Sequence, residues 1–202
     1  MGSMIDWPDA RVPLGLHPNP DDRRQAAAWA LQRLARRDFV VLDTETTGLG
    51  ADDQVIEVAV VDASGKVLVE RLIRPTCPIH PRATAVHGYD ADVLASAPTF
   101  AEVLPELRAC LDGSRAIAYN APFDERLMRQ SAAVWGAEPV DASWECAMRW
   151  YAQYVGLTSG ARGGYTSPTL PRGDVDQARH GARRDCLLTL RLLTRMARPL
   201  SG

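Results

Sequence analysis

Val40-Val41-Leu42-Asp43-Thr44-Glu45-Thr46-Thr47-Gly48-Leu49 opens as an apolar, largely β-branched run and closes on two acids. Continuous apolar character from Phe39 to Leu42 suits a strand covered on both faces better than the alternation of a half-exposed one. Asp43 and Glu45 are two residues apart, so an extended backbone sends both side chains off one face. Side by side in a partly buried place they repel, and one would keep a proton unless a cation lay between them. A divalent metal is the simplest such cation. Thr46-Thr47-Gly48 then supplies hydroxyls and a permissive turn where a ligand could approach closely. Asp-x-Glu also occurs on ordinary solvated turns, so the pair needs support from the rest of the chain.

Working outward, strand one spans residues 38–43. Residues 54–62 and 67–74 read as an antiparallel hairpin across Ala63-Ser64-Gly65-Lys66. Upstream, residues 1–20 carry Pro8, Pro13, Pro18 and Pro20 and read as an irregular lead-in, with Met1-Gly2-Ser3-Met4 as a cloning remnant. A helix from Asp21 to Arg37 follows, with Ala28, Leu31, Leu34 and Ala35 on its apolar side. Residues 21–202 are then expected to form one domain with its core between 38 and 197. Downstream, short helices fall near 81–86 and 90–95, and Thr99 caps a helix that ends at Leu111. A brief strand at 115–119 leads to a helix at 121–135, with Pro122 tolerated in its first turn. Residues 143–155 read as a further helix. The last helix, 181–196, has Cys186, Leu187, Leu190, Leu193 and Ala197 on its apolar stripe. Between these two, residues 156–179 are too polar for a core element and read as a lid, a binding loop or a disordered segment.

At 202 residues, 46% hydrophobic and 24% charged, the chain has the size and balance of one globular domain. No apolar run is long enough to cross a bilayer and no signal segment is visible, so a soluble, cytoplasmic protein without membrane partners is expected. Cys77, Cys110, Cys146 and Cys186 are too dispersed for a zinc pattern and are expected as reduced thiols. A net charge of -2 argues against gripping a long duplex by bulk electrostatics. It leaves room for nucleic acid whose phosphates are neutralised locally by metal ions.

Three separated stretches carry acids beside unusual neighbours: Asp43/Glu45, then Asn120-Ala121-Pro122-Phe123-Asp124, then His180 with Asp185 five residues on. Asp124 and Asp185 each fall near a helix start, where an ordinary dipole-favoured acid is the alternative reading. Together the three stretches resemble the motifs of the DEDDh 3'-5' exonucleases, the family of the proofreading epsilon subunit of bacterial DNA polymerase III. The match covers residues 38–197, and Val86-His87-Gly88 is similar to a further stretch of that family. The resemblance implies an α/β, RNase H-like fold, a central mixed five-stranded sheet flanked by helices. It implies two divalent cations, Mg2+ or Mn2+, with Asp43 bridging them, Glu45 and Asp185 holding the ion beside the attacking water, and Asp124 supporting the other. His180 would take the proton from that water, and the products would be nucleoside 5'-monophosphates. For the substrate it implies Thr46 and the backbone around Thr44 at the terminal 3' hydroxyl and Leu49 against the last base, with a core role for Leu49 equally open. His87 and Asn120 would lie near phosphate or sugar.

The expected partner is a single-stranded 3' end, DNA favoured over RNA because Thr44-Glu45-Thr46-Thr47-Gly48 is closer to proofreading enzymes than to oligoribonucleases. Trimming of RNA is the alternative, since discrimination at the 2' hydroxyl depends on pocket shape. A non-catalytic binding module should have lost an acid or the histidine, and none is missing. A phosphatase of the paired-aspartate type needs Asp where Glu45 stands. Association with a polymerase or repair partner is left open by the sequence. Pro168 and Pro171 forbid an undisturbed helix before His180, so His180 is expected on a mobile approach that orders with metal and nucleic acid.

Overall fold

The computed structural model describes residues 17–158, 164–171 and 180–198. Its sheet has five strands: β1 (Val40–Thr46), β2 (Val55–Asp62), β3 (Val67–Leu72), β4 (Arg115–Ala118) and β5 (Ser143–Cys146). They lie in the order β3-β2-β1-β4-β5. β2 is antiparallel to β1 and β3, while β4 runs parallel to β1 and β5 parallel to β4. The mixed sheet expected from the resemblance is therefore present, with β1 at its centre.

Helices cover both faces. On one side lie α1 (Pro20–Arg36), α6 (Ala147–Val155) and α7 (Ala182–Met196), packed through Trp29, Tyr154, Cys186 and Leu192 onto Val41, Ala59 and Val61. On the other lie α4 (Phe100–Leu111) and α5 (Ala121–Val134), packed through Leu107, Leu127 and Met128 onto Val40, Leu42 and Val58. Two short helices, α2 (Pro81–His87) and α3 (Ala91–Leu94), lie between β3 and α4. Alternate residues of β1 thus enter opposite cores, which explains its unbroken apolar run. Thr99 caps α4 in a reciprocal capping box with Glu102.

Three expectations are corrected. Residues 143–146 are a strand, not the start of a helix: four residues suffice because β4 supplies the parallel partner, and α6 follows at once. The buried side of α1 is Arg23, Ala26, Trp29 and Ala30, whereas Ala28, Leu31 and Ala35 face solvent. Trp29 stacks on Trp150 at 5.3 Å between ring centroids, and that long-range contact fixes the helix's rotation. In α7 the buried set is Asp185, Cys186, Leu188, Thr189, Leu192, Leu193 and Met196, with Leu187 and Leu190 only half-buried.

The linking segments are also better anchored than their composition suggests. His17, assigned to the lead-in, is buried and its Nε2 lies 2.8 Å from the Gln153 carbonyl. Its ring occupies the space a side chain at Gly156 would need, and Gly156 itself has φ 79°. Within the stretch expected as a lid or loop, the described residues 164–171 are tied to the fold. Leu170 enters the core, the Tyr165 hydroxyl donates to Asp22 at 2.6 Å, and the Tyr119 hydroxyl donates to the Pro168 carbonyl at 2.6 Å. The approach at 172–179 lies outside the described residues. No described helix is long and apolar enough to cross a membrane, and all four cysteines are free thiols.

Candidate active site

β1 carries Asp43 and Glu45 toward the α7 side of the sheet, as their spacing predicts. Glu45 is buried and stands directly opposite Glu57 of β2. α7 delivers Asp185 from its first turn, also buried, and His180 just before its start. Ligand atoms of Glu45, His180 and Asp185 all lie within 4.8 Å of one another. His180 Nδ1 is 3.4 Å from Asp185 Oδ2, and the His180 backbone N–H donates to the Val86 carbonyl at 3.2 Å. The histidine is thereby held between the end of α2 and the start of α7.

Asp124 enters from the other face of β1, in the first turn of α5. Thr44, pointing the opposite way from its two acidic neighbours, donates its hydroxyl to Asp124 Oδ1 at 2.8 Å. Burial lifts the Asp124 carboxyl to about 7, against the pull of that hydroxyl and of backbone N–H groups. Asp43, half-buried between the two sides, is held well above the usual carboxylate range by burial first and then by the charges of Asp124, Asp185, Glu45 and Glu57. Such mutual repulsion is what a divalent cation would relieve. Hard oxygen donors with one imidazole suit Mg2+ or Mn2+, so the residues present fit the expected ions.

The loop after β1 is built from its own side chains. Thr47 donates to Asp53 Oδ1 at 2.6 Å and accepts from the Gln54 N–H at 2.9 Å, while the Gly50 N–H donates to Asp53 Oδ2 at 2.6 Å. A Cβ at Gly48 would stand 2.7 Å from Asp53 Oδ2. The glycine therefore makes room for this carboxylate. Thr46 is buried and donates its hydroxyl to the Gly48 carbonyl at 2.8 Å. Leu49 is 79% exposed, which removes the core role left open for it. Arg126 of α5 donates to the Leu49 and Gly50 carbonyls at 3.3 and 2.9 Å, so the loop is fastened to the helix that carries Asp124. Asn120 is exposed at the N-cap of α5 and makes no capping bond. His87 lies buried beneath the site: its Nδ1 accepts from the Tyr89 N–H at 3.0 Å, and Nε2 faces the Thr46 backbone without a hydrogen bond of normal geometry. Burial, ahead of the opposing Thr46 backbone, pushes the His87 imidazole below its ordinary value.

Glu57 is a buried acid beside these residues that the sequence motifs did not single out. It is buried, and its Oε2 accepts the Ala182 N–H at 3.0 Å, the first helical donor of α7. The N-cap residue, Gly181, has no side chain for that task. A hydrogen bond from Tyr89 reaches the same carboxylate, and burial raises Glu57 against both bonds. Glu57 thus holds the start of the helix that carries Asp185 and that His180 shortly precedes. A lone acid inside the apolar run Val55–Val61 was the available signal. Glu57→Ala is expected to lower kcat about tenfold or more by loosening this placement, with Glu57→Gln, which keeps the acceptor, restoring most of it. Equal losses in both variants, in steady-state kinetics on an oligonucleotide, would show that charge and not placement matters.

A mixed sheet that gathers carboxylates and one histidine around the end of its central strand is a layout suited to metal-dependent phosphodiester hydrolysis. The sequence model of the exonuclease family RNase_T matches residues 40–193. Over 173 residues the chain is 32% identical to an uncharacterized exonuclease, CP81, of Escherichia phage 186, covering 80% of this chain and 89% of that protein. It is 35% identical over 99 residues to the DNA polymerase III subunit epsilon of Pasteurella multocida, covering 44% of this chain and 39% of the subunit. Among solved structures, Exonuclease X in complex with 5' overhanging duplex DNA superposes with a TM-score of 0.51 at 23% identity, covering 76% of this chain and 89% of that one. The chain belongs to the RNase_T exonuclease family and is a 3'-5' exonuclease of the DEDDh type, related to the polymerase III epsilon subunits.

Proposed function

We propose that the protein removes nucleotides one at a time from the 3' end of single-stranded DNA, in a proofreading or repair role, releasing nucleoside 5'-monophosphates. The observation that carries this reading is the meeting of Glu45, Asp185 and His180 within 4.8 Å, beside Asp43 and the Thr44–Asp124 pair. Asp43, Glu45, Asp124 and Asp185 would hold the divalent ions, whose chemistry when bound is to acidify a water and to stabilise the leaving oxygen. His180, whose side chain is 39% exposed, takes the proton of the attacking water at Nε2 while Nδ1 stays oriented toward Asp185. Leu49, projecting from a loop fastened to α5, covers the terminal base. Thr46 Oγ1, its proton committed to Gly48, offers a lone pair to the 3' hydroxyl. Asn120, exposed beside Asp124, reaches the sugar or phosphate.

The choice of DNA rests on the relatives. Epsilon is a DNA polymerase subunit by name, and the Exonuclease X structure is a complex with DNA. Digestion of 5'-labelled single-stranded DNA and RNA of one sequence, with Mn2+ or EDTA, tests the reading. The expected result is a ladder shrinking from the 3' end, metal-dependent and faster on DNA. Faster loss of RNA would reassign the substrate, and no shortening of either polymer by protein that binds Mn2+ would sink the proposal.

A further inference from the structure

A groove of about 650 Å³ opens beside the site, between α1, α6, β5 and the first turn of α5. Trp29, Trp144 and Trp150 line it, three of the five tryptophans in the chain, together with Arg33 and Arg149. Trp144 and Trp150 are partly exposed, and Trp150 stacks on Trp29 with an interplanar angle of 12°. Its acids are already compensated. Glu145 accepts from Trp29 Nε1, Arg33 Nε and Arg115 Nε at 2.8, 3.0 and 2.7 Å, and Glu125 is paired with Arg129 at 2.7 Å. Arg149 is exposed and makes no ion pair among the described residues, and Arg33 Nη1 is buried with no hydrogen-bond partner among them. What the groove offers a ligand is therefore indole surface and the guanidinium of Arg149.

Its position ties it to the catalytic acids. Ala121, Pro122 and Glu125 line the groove, while Asp124 on the same helical turn faces Thr44 and the site. Cys146, at the C-terminal end of β5, also lines it. The groove thus opens at the end of the parallel strands where the acids gather, within about one helix diameter, ~10 Å, of Asp124. Trp29 and Arg33 come from α1, which precedes the residues matched by the family model.

We infer that this groove holds the unpaired strand on the 5' side of the nucleotide being removed, its bases against Trp144 and Trp150 and its phosphates at Arg149. Indole faces with arginines are the chemistry that binds single strands without reading sequence, and the volume is within the ~300–1,000 Å³ of small-ligand sites. The inference rests on the exonuclease reading, so its test separates the two. The p-nitrophenyl ester of thymidine 5'-monophosphate reaches only the catalytic acids, whereas a deoxythymidine dodecamer extends past them. With Mn2+, Arg149→Glu is expected to lower the ratio of kcat/KM on the dodecamer to that on the ester about tenfold, and Trp144→Leu likewise, the loss of about one stacked base. Because Arg149 is exposed and makes no ion pair among the described residues, its substitution is expected to leave the fold intact. In EDTA the dodecamer should quench the indole fluorescence of the wild type and quench Arg149→Glu less. An unchanged ratio, or no quenching of the wild type, overturns the groove. Failure of the wild type on both ester and dodecamer sinks the exonuclease reading instead, and the quenching measurement then still decides the groove.

Discussion

Asp43→Asn is expected to cut nucleotide release by ~10³-fold or more while raising the melting temperature of the metal-free protein. The two effects share one cause. Asp43 stands where the charges of Asp124, Asp185, Glu45 and Glu57 converge, and they add to burial in holding its carboxyl well above the ordinary range. An ionised group in that position costs the apo fold free energy, about 1.4 kcal/mol for each unit by which its pKa is raised. Asparagine keeps the shape and removes the charge, so the apo protein gains. Each kcal/mol recovered is about 2–4 °C for a chain of this size. Catalysis loses because, on the proposed function, the same oxygens would be the central donors for the divalent ions, and a ~10³-fold loss corresponds to about 4 kcal/mol of transition-state stabilisation. Kinetics in Mn2+ and thermal melts in EDTA at about pH 8 check both halves. A variant that melts lower than the wild type in EDTA would overturn the idea that Asp43 is held against its neighbours' charge.

The parts of this arrangement that are legible in the sequence are those where an acid interrupts an apolar pattern. β1 declares itself because both its faces are covered, and Asp43 and Glu45 stand out against Val40, Val41 and Leu42. The hairpin β2–β3 is equally plain, its turn closed by Asp62, which accepts from the Ser64 and Lys66 N–H groups. By the same logic Glu57 was visible as an acid in Val55–Val61, but its partner, the Ala182 N–H, is 125 residues away. No local pattern reports that distance. α1 was misoriented for a related reason: alanines on several faces make its period ambiguous, and the choice is made by Trp150 and Glu145 from another part of the chain. β5 is four residues that gain their conformation from β4. Leu170 looks like loop in a Pro- and Gly-rich stretch, and only the neighbouring helices make it core. At the site itself, Asp43, Glu45, Asp124, Asp185 and His180 stand out by motif, and they are the residues proposed above to hold the ions and take the proton. The sequence pointed to the backbone around Thr44, and gave no sign that its side chain would donate to Asp124. That contact needed the parallel β4–β5 crossover to be seen, because its helix, α5, lies under the opposite face of β1.

Metal-free protein is expected to lose stability as pH rises from about 5 to about 8, and Mn2+ to restore it with an effect that grows over the same interval. Asp124, lifted to about 7 by burial, holds its proton in the native state at pH values where the unfolded chain has released it. Between the ordinary carboxylate value and 7 the native state therefore binds more protons, and stability falls as pH climbs through that window. Asp43 and Glu57, also raised, act with the same sign. Asp62 and Glu102 are held below their ordinary values and act oppositely, but only below about pH 5, since their unfolded references are 3.8 and 4.5. The expected decline is on the order of 2 kcal/mol or more, about 4–8 °C in melting temperature. Mn2+ binds the ionised carboxylates, so it competes with protons more strongly at pH 5 than at pH 8. At a hundredfold excess over its Kd it contributes about 2.7 kcal/mol, enough to offset the decline. Melts at unit steps of pH, with EDTA or Mn2+, give the two curves. Parallel curves would mean that the ion does not sit on the carboxylates that titrate, and would move the metal site away from Asp43 and Asp124.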